Sequence, residues 1–281
     1  MAAPDTFRIG GKYRVKVGGN TIGGEQSGTL VLTLAQTVLT NKGSNYFRKL
    51  AASMRSWRIE SNGNYVVSSA EIAGNNLSAT VAGTAIKGIR SLAISGECQM
   101  IEVANSTTGL DRALLPGVRS MDATVQGDWY DFDLDSSPTG GDEALEDLQN
   151  ILLGTSSDAV AFVGQVGTNQ TFAFDALPSS NSLSMPNEDS GQYSVTVNSA
   201  DAITATQTGA DTALAAIVSA FAGASEATSV SIEFTPDEVD ATEWTGTAYV
   251  GQIELNAEFT GDVTWSTTLE GTGALTQQAG S

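Results

Sequence analysis

Three aspartates at alternate positions, Asp131, Asp133 and Asp135, form the nearest thing to a chemical motif in this chain. Asp-x-Asp-x-Asp opens a calcium-binding loop, and Asp142 falls at its twelfth position. The pattern fails at two places. Its sixth position is Ser136 where the sharp turn needs glycine, and its twelfth is aspartate where a bidentate glutamate belongs. Tyr130, Phe132 and Leu134 alternate with the acids, which reads instead as a strand with one acidic face. Calcium at these three residues is the weaker reading, and no metal or cofactor is expected. The chain has no histidine, so it lacks the commonest general base and metal ligand. Its single cysteine, Cys98, excludes an internal disulfide and reads as a buried structural residue. Carboxylate pairs abound, but nothing singles one out as an acid–base pair, so no catalytic residues are expected.

The distribution of charge says more than the motif does. The net charge is −19, with 13 Lys and Arg against 32 Asp and Glu. Every basic residue lies between Arg8 and Arg119, and none follows Ser120. Such polarity suits a basic surface of one copy meeting an acidic surface of another. Solubility, or adaptation to high salt, accounts for the acidity equally well. The cluster Arg48, Lys49, Arg55 and Arg58 has few stacking aromatics around it, which favours a protein interface over nucleic acid. No apolar run is long enough to span a membrane, and the first residues lack the apolar core of a signal peptide.

The elements that must carry these groups are mostly strands. Lys12, Arg14 and Lys16 alternate with Tyr13, Val15 and Val17 in a short strand or extended arm. Residues 28–35 form a strand with Leu30, Leu32 and Leu34 on one side, and residues 53–60 form another. Ser61-Asn62-Gly63-Asn64 and Gly127-Asp128 read as turns. Further strands are expected at 65–67, 79–81, 89–94, 99–103, 118–125, 129–135, 171–174, 193–197 and 229–234. Two helices follow from period-3.6 apolar spacing. One is capped by Asp142 and stopped by Gly154, with Leu145, Leu148, Ile151 and Leu152 inward. It is expected to lie across an open sheet face. The other runs from Asp211 to Phe221, with Leu214, Ile217, Val218 and Phe221 inward and Gly223 after it.

The last hairpin is the clearest element. Ile253, Leu255, Ala257 and Phe259 face a core, as do Val263, Trp265, Thr267 and Leu269. Glu254, Asn256, Glu258, Thr264 and Ser266 lie on the opposite, wet face, which holds no cation. A faint echo also joins residues 47–65 to 111–129 at an offset of 64, carried by Arg48/Arg112, Leu50/Leu114, Arg55/Arg119, Ser56/Ser120 and Gly63/Gly127. It reads as a duplicated strand pair.

Three segments in this order resemble the tail tube (major tail) proteins of long-tailed bacteriophages and related archaeal viruses. They are GIRSLAISGECQMIEVANSTTGLDRALLPGVRSMDATVQGDWYD (88–131), GDEALEDLQNILLG (141–154) and TGTAYVGQIELNAEFTGDVTWSTTLEGTGALT (245–276). The resemblance implies a mainly β fold: a tail-tube sandwich or barrel with a flanking helix. It places an N-terminal β extension at 1–75, the sandwich domain at 76–281, and an inserted α+β lobe at 155–230. It implies a non-enzymatic virion protein, made in the host cytoplasm, whose rings stack into a hollow tail that passes viral DNA. Other tail proteins would meet the tube at its ends. Copies would touch through Arg48, Lys49, Arg55, Arg58 and the loop residues Asn105, Thr107, Thr108, Asp111 and Arg112. Glu254, Asn256, Glu258, Thr264 and Ser266 would line the wall. The family commonly builds rings of six, and duplicated members use three. An echo of 64 residues is too short for a whole module, which favours six. The competing readings are a capsid decoration or receptor-binding β-sandwich and a polysaccharide-active enzyme.

Overall fold

The computed structural model describes residues 13–38, 50–67, 70–71, 77–103, 110–129, 142–154, 156–167, 170–184, 191–207, 211–223, 227–236 and 242–279. The fold is mainly β, with two helices against one large antiparallel sheet of 15 strands among these residues. The first strands are β1 (Arg14–Val17), β2 (Asn20–Thr21), β3 (Glu25–Val38) and β4 (Leu50–Asn64). The two-residue strands β5 (Val66–Val67) and β6 (Ala70–Glu71) pair only with each other among the described residues. Next come β7 (Ser78–Val81), β8 (Thr84–Ala85), β9 (Ile89–Glu102), β10 (Leu114–Trp129) and helix α1 (Asp142–Leu152). Strands β11 (Val160–Val166), β12 (Gln170–Ser184), β13 (Gly191–Ser199) and β14 (Thr204–Gln207) lead to helix α2 (Thr212–Ala222). The chain ends in β15 (Val230–Thr235), β16 (Thr242–Glu258) and β17 (Thr264–Ala279).

Several sequence expectations need correction, and glycine explains most of them. The two expected turns belong to strands: Ser61–Asn64 ends β4 and Gly127–Asp128 lies in β10. Glycine is needed there because another backbone comes close. A Cβ on Gly63 would lie 2.2 Å from the Gly24 carbonyl oxygen, and one on Gly127 would lie 2.3 Å from that of Gly88. The segments 89–94 and 99–103 are one strand, β9, and Cys98 lies buried inside it. In that strand Gly96 leaves room for the Phe221 ring. Leu30, Leu32 and Leu34 do share one side of β3, but Leu32 and Leu34 are exposed there, as is Phe259, expected to face a core, at the tip of the last hairpin. The strand expected at 129–135 falls, beyond Trp129, outside the described residues. Helix α2 matches its expectation. The Asp211 carboxylate accepts from the amides of Ala213 and Leu214, and Leu214, Ile217, Val218 and Phe221 are buried.

Strand pairing groups the chain differently from a linear division. β1 pairs with β15 and β4 with β17, so the first and last parts of the chain form one unit. β7 pairs with β11 and β10 with β13, so the middle forms another. The two units have the same internal register. In the β3–β4 hairpin Leu30 faces Ile59, Leu32 faces Trp57 and Val38 faces Leu50. In the β9–β10 hairpin Ile94 faces Ala123, Gly96 faces Met121 and Glu102 faces Leu114. Every pair is shifted by 64 residues, and the irregularities between pairs fall at matching places. The same shift relates the β1–β2 turn to the β7–β8 turn, where Ile22 and Ile86 donate to Val15 and Ala79.

The later strands repeat too. In the β12–β13 pair Ala176 faces Ser199 and Leu183 faces Tyr193. In the β16–β17 pair Ala248 faces Gly271 and Leu255 faces Trp265, a shift of 72 that also maps the bulge after Pro178 onto the one after Val250. Helices α1 and α2 stand 70 residues apart and pack alike, α1 on β12, β7 and β8, and α2 on β16, β1 and β2. One module is therefore contiguous (β7 to β14). It is nested inside the other, which the chain starts with β1–β4 and completes with α2 and β15–β17. The repeat seen in sequence as a strand pair extends over the whole fold. The segment read as an inserted lobe supplies β11–β14 of the inner module, and the segment read as an extension supplies β1–β4 of the outer one.

The modules are joined by a continuous strand seam and, beside it, by a bridge between Arg55 and Asp111 and a bond from the Gly273 amide to the Arg112 carbonyl. β16 of the outer module pairs antiparallel with β9 of the inner one, Gln252 facing Glu97 and Leu255 facing Ile94. The sheet thus runs β3–β4–β17–β16–β9–β10–β13–β12 without a break.

Candidate assembly surface

The wet face of this sheet carries the residues expected to line a wall. Glu254 faces Ser266 and Asn256 faces Thr264 across β16–β17. Glu254 accepts from Asn256 Nδ2 at 3.0 Å and from Ser266 Oγ at 3.3 Å. Glu258 follows on the same side of β16, opposite Ser91 of β9. The seam extends this face to Ser95 and Ala93, which face Glu254 and Asn256. Glu97 lies on the same face of β9, and its charge, after burial, helps push the Asp122 carboxyl on β10 above its ordinary value. Arg58 contributes a positive charge, paired with Glu60 at 2.8 Å. A surface built from carboxylates and hydroxyls offers acceptors but little to neutralise a phosphate, so it repels a polyanion at short range.

The residues expected to contact other copies divide in two. Arg48, Lys49, Asn105, Thr107 and Thr108 lie outside the described residues, as do Asp131, Asp133 and Asp135. Arg55, Asp111 and Arg112 come together within the chain. Asp111 holds the Nε edge of the Arg55 guanidinium, at 2.9 Å from Nε and 3.1 Å from Nη2. The Arg55 amide donates to Leu110 and its carbonyl accepts from Arg112. Arg112 reaches Glu270 and Glu102, both at 3.5 Å. These contacts stitch β4 to the start of β10. The Arg55 side chain is nevertheless well exposed, so its ion pair contributes less than about 1 kcal/mol.

Sequence reasoning missed the role of Arg119. Its Nη1 donates to the carbonyls of Phe221 and Gly223 at the C-terminal end of α2. That helix has no basic residue in its own last turn. Arg119 belongs to the inner module and α2 to the outer, so the cation that satisfies the helix end comes from across the seam. The only signal in the sequence was the Arg-Ser pair shared by the two echo segments.

Two sheet edges were also missed. Among the described residues β3 pairs only with β4, although its equivalent β9 pairs on both sides. Ser180–Ser184 of β12 pair only with β13, although the equivalent stretch of β16 pairs on both sides. Leu32, Leu34 and Leu183 are exposed along these edges, and Leu152 and Leu153 at the end of α1. Among the described residues no helix is long and apolar enough to cross a membrane. The described residues contain no group of three acidic or cysteine side chains placed to hold a metal.

No family model and no curated protein matches the chain. Among solved structures it is similar to a chain in the virion of a native gene transfer agent particle, with TM-score 0.38 and 20% identity over 49% of this chain and 99% of that one. It is similar to a chain in the tail of an empty gene transfer agent particle, with TM-score 0.34 and 20% identity over 43% and 83%. It is also similar to a chain in the sheath/tube terminator structure of an extracellular contractile injection system, with TM-score 0.36 and 14% identity over 48% and 95%. Likenesses at these TM-scores add no weight to the geometry.

Proposed function

We propose that this chain is a structural, non-enzymatic protein of a virion tail, whose copies close into rings that stack into a hollow tube for viral DNA. One observation carries the reading: two register-identical β modules already join edge to edge inside the chain, while among the described residues an equivalent edge stays open at each end. An open, apolar strand edge is a template for another chain. A module that propagates its sheet through such edges is built to assemble. The resemblance in sequence supplies the kind of assembly, a tail tube.

Six copies per ring suits a chain with one module. With two modules per chain, three copies supply the six. The acidic wet face suits a lumen through which DNA slides without sticking. Virus production places synthesis in the host cytoplasm, with other tail proteins at the tube ends.

Negative-stain microscopy of the purified protein tests this directly. The expected images are rings with a central hole, or tubes of uniform width. Compact particles without a channel would turn the reading toward a decoration or receptor-binding protein.

A further inference from the structure

We infer that neighbouring copies join through β3 of one and β12 of the next, in the register that β9 and β16 use inside the chain. The inference rests on the reading of the chain as a ring-forming protein and names the contact that closes the ring. The internal seam is the template. Its pairs are Gln252–Glu97, Ile253–Gly96, Glu254–Ser95, Leu255–Ile94 and Asn256–Ala93. The shift of 72 carries the β16 residues onto β12, and the shift of 64 carries the β9 residues onto β3. The pairs between copies are then Ser180–Thr33, Asn181–Leu32, Ser182–Val31, Leu183–Leu30 and Ser184–Thr29.

Burial marks the same edges. Leu255, covered by β9, is 1% exposed, whereas its equivalent Leu183 is 50% exposed. Ile94, covered by β16, is 1% exposed, whereas Leu30 is only partly buried and Leu32 is 56% exposed. Both outer edges thus carry apolar side chains on the core side of the sheet, at the positions that the internal seam covers. An edge left this way invites a strand.

The helix contact across the seam has a matching counterpart. Inside the chain the Phe221 ring fills the space above Gly96. At the outer seam the equivalent residues are Ile151 and Leu32. There the helix carries a smaller side chain and the strand a larger one than at the internal seam. Arg119 has its counterpart in Arg55. The mapped acceptors in the neighbouring copy are the carbonyls of Leu153 and of Ile151, the latter already accepting from the Gly154 amide, at the end of α1, a helix that also lacks a basic residue in its last turn. Asp111 holds the Nε–Nη2 edge of Arg55. That leaves Nη1, the atom Arg119 uses, pointing away from the pair. Leu152 and Leu153, both exposed, lie where the seam covers Ala222 and Gly223 of α2.

Paired cysteines in a Cys98→Ala background test the register. Val31→Cys with Ser182→Cys and Leu32→Cys with Asn181→Cys are adjacent in-register pairs, so one of them occupies the close, non-hydrogen-bonded position that suits a disulfide. Leu32→Cys with Ser182→Cys is the one-residue slip, which sends the thiols to opposite faces. After mild oxidation at least one in-register pair yields covalent oligomers that stop at the ring size, and the slipped pair yields less than about a tenth as much. Arg55→Glu weakens self-association by about tenfold or more, while Arg58→Glu, on the opposite sheet face, changes it by less than about twofold. Rings that form while the slipped pair links as well as the others, or while neither in-register pair links, overturn the seam and leave the tube reading standing. Covalent oligomers in register without rings or tubes keep the seam and overturn the tube reading. A chain that stays monomeric at every concentration overturns both.

Discussion

Helices α1 and α2 occupy equivalent places in two modules of the same design, yet one is finished and the other is not. α2 is buried to its last residue, with Phe221 over Gly96 and its terminal carbonyls held by Arg119. α1 ends in exposed Leu152 and Leu153. Propensity does not set them apart, since the inner module has an equivalent strand and turn at each place. The difference lies in what covers them: α2 abuts the other module, while α1 faces the outside of the chain. A surface left apolar where its twin is covered is where the proposed contact between copies would fall.

Mutations along both helices sharpen that contrast. Phe221→Ala is expected to destabilise the isolated chain by about 3–5 kcal/mol, because it empties a filled site. Ile151→Ala is expected to cost about 1 kcal/mol or less in the same urea titration, because its partner surface is missing there. Equal losses would end the claim that only one of the two seams is closed within a chain.

The glycines test the equivalence of the modules rather than the difference. Gly63→Ala and Gly127→Ala each push a methyl against a carbonyl of the approaching strand. Each is expected to lower stability by about 2–3 kcal/mol, by the strain of overpacking. A large effect at one and none at the other in thermal unfolding would break the match in register.

A smaller effect is expected at the helix ends. Arg119→Ala removes a charged donor from the last turn of α2 and should cost about 1–2 kcal/mol. Arg55→Ala should cost about 0.5 kcal/mol or less in a monomer, where only its exposed pair with Asp111 is lost.

The smallest effect concerns a position where the modules diverge. Glu25 stands where the inner module has Ile89. Burial pushes its carboxyl above the ordinary value, against hydrogen bonds from Ser61 and the Val15 amide that lower it. In the pH window between the unfolded and the raised folded pKa, the folded state holds more protons. Stability therefore falls as pH rises through that window and levels off above it. Glu25→Gln should flatten this slope in unfolding curves measured across the acid range. An unchanged slope would mean that Glu25 is not its source.

Much of the fold was legible because alternation and capping are local. Val15 and Val17 beside Lys16, the Asp211 cap, and the two faces of β16 and β17 all announce themselves within a few residues. The nested repeat was nearly invisible. A strand asks only that alternate residues suit a buried face, so Lys16 and Thr80, Glu25 and Ile89, or Leu34 and Cys98 serve the same position. What the repeat conserves is backbone geometry: Gly24 and Gly88 both have positive φ, and each sends its carbonyl to the next glycine's strand. Of the five identities in the echo, Gly63/Gly127 follow from that geometry, and Arg55/Arg119 hold the position from which Arg119 reaches the end of α2. The candidate surface was half legible. Its wet face followed from alternation. Its open edges did not, because Leu30, Leu32 and Leu34 look like any apolar stripe until β3 proves to have a single partner strand among the described residues.

An electron cryomicroscopy map of the assembled particle tests the central claim most directly. The account predicts three chains per ring showing six similar lobes. β3 of each chain should be hydrogen-bonded to β12 of the next as β9 is to β16, with Arg55 at the end of the neighbouring α1. A ring whose chains meet through other surfaces, with β3 and Ser180–Ser184 still exposed, would contradict it.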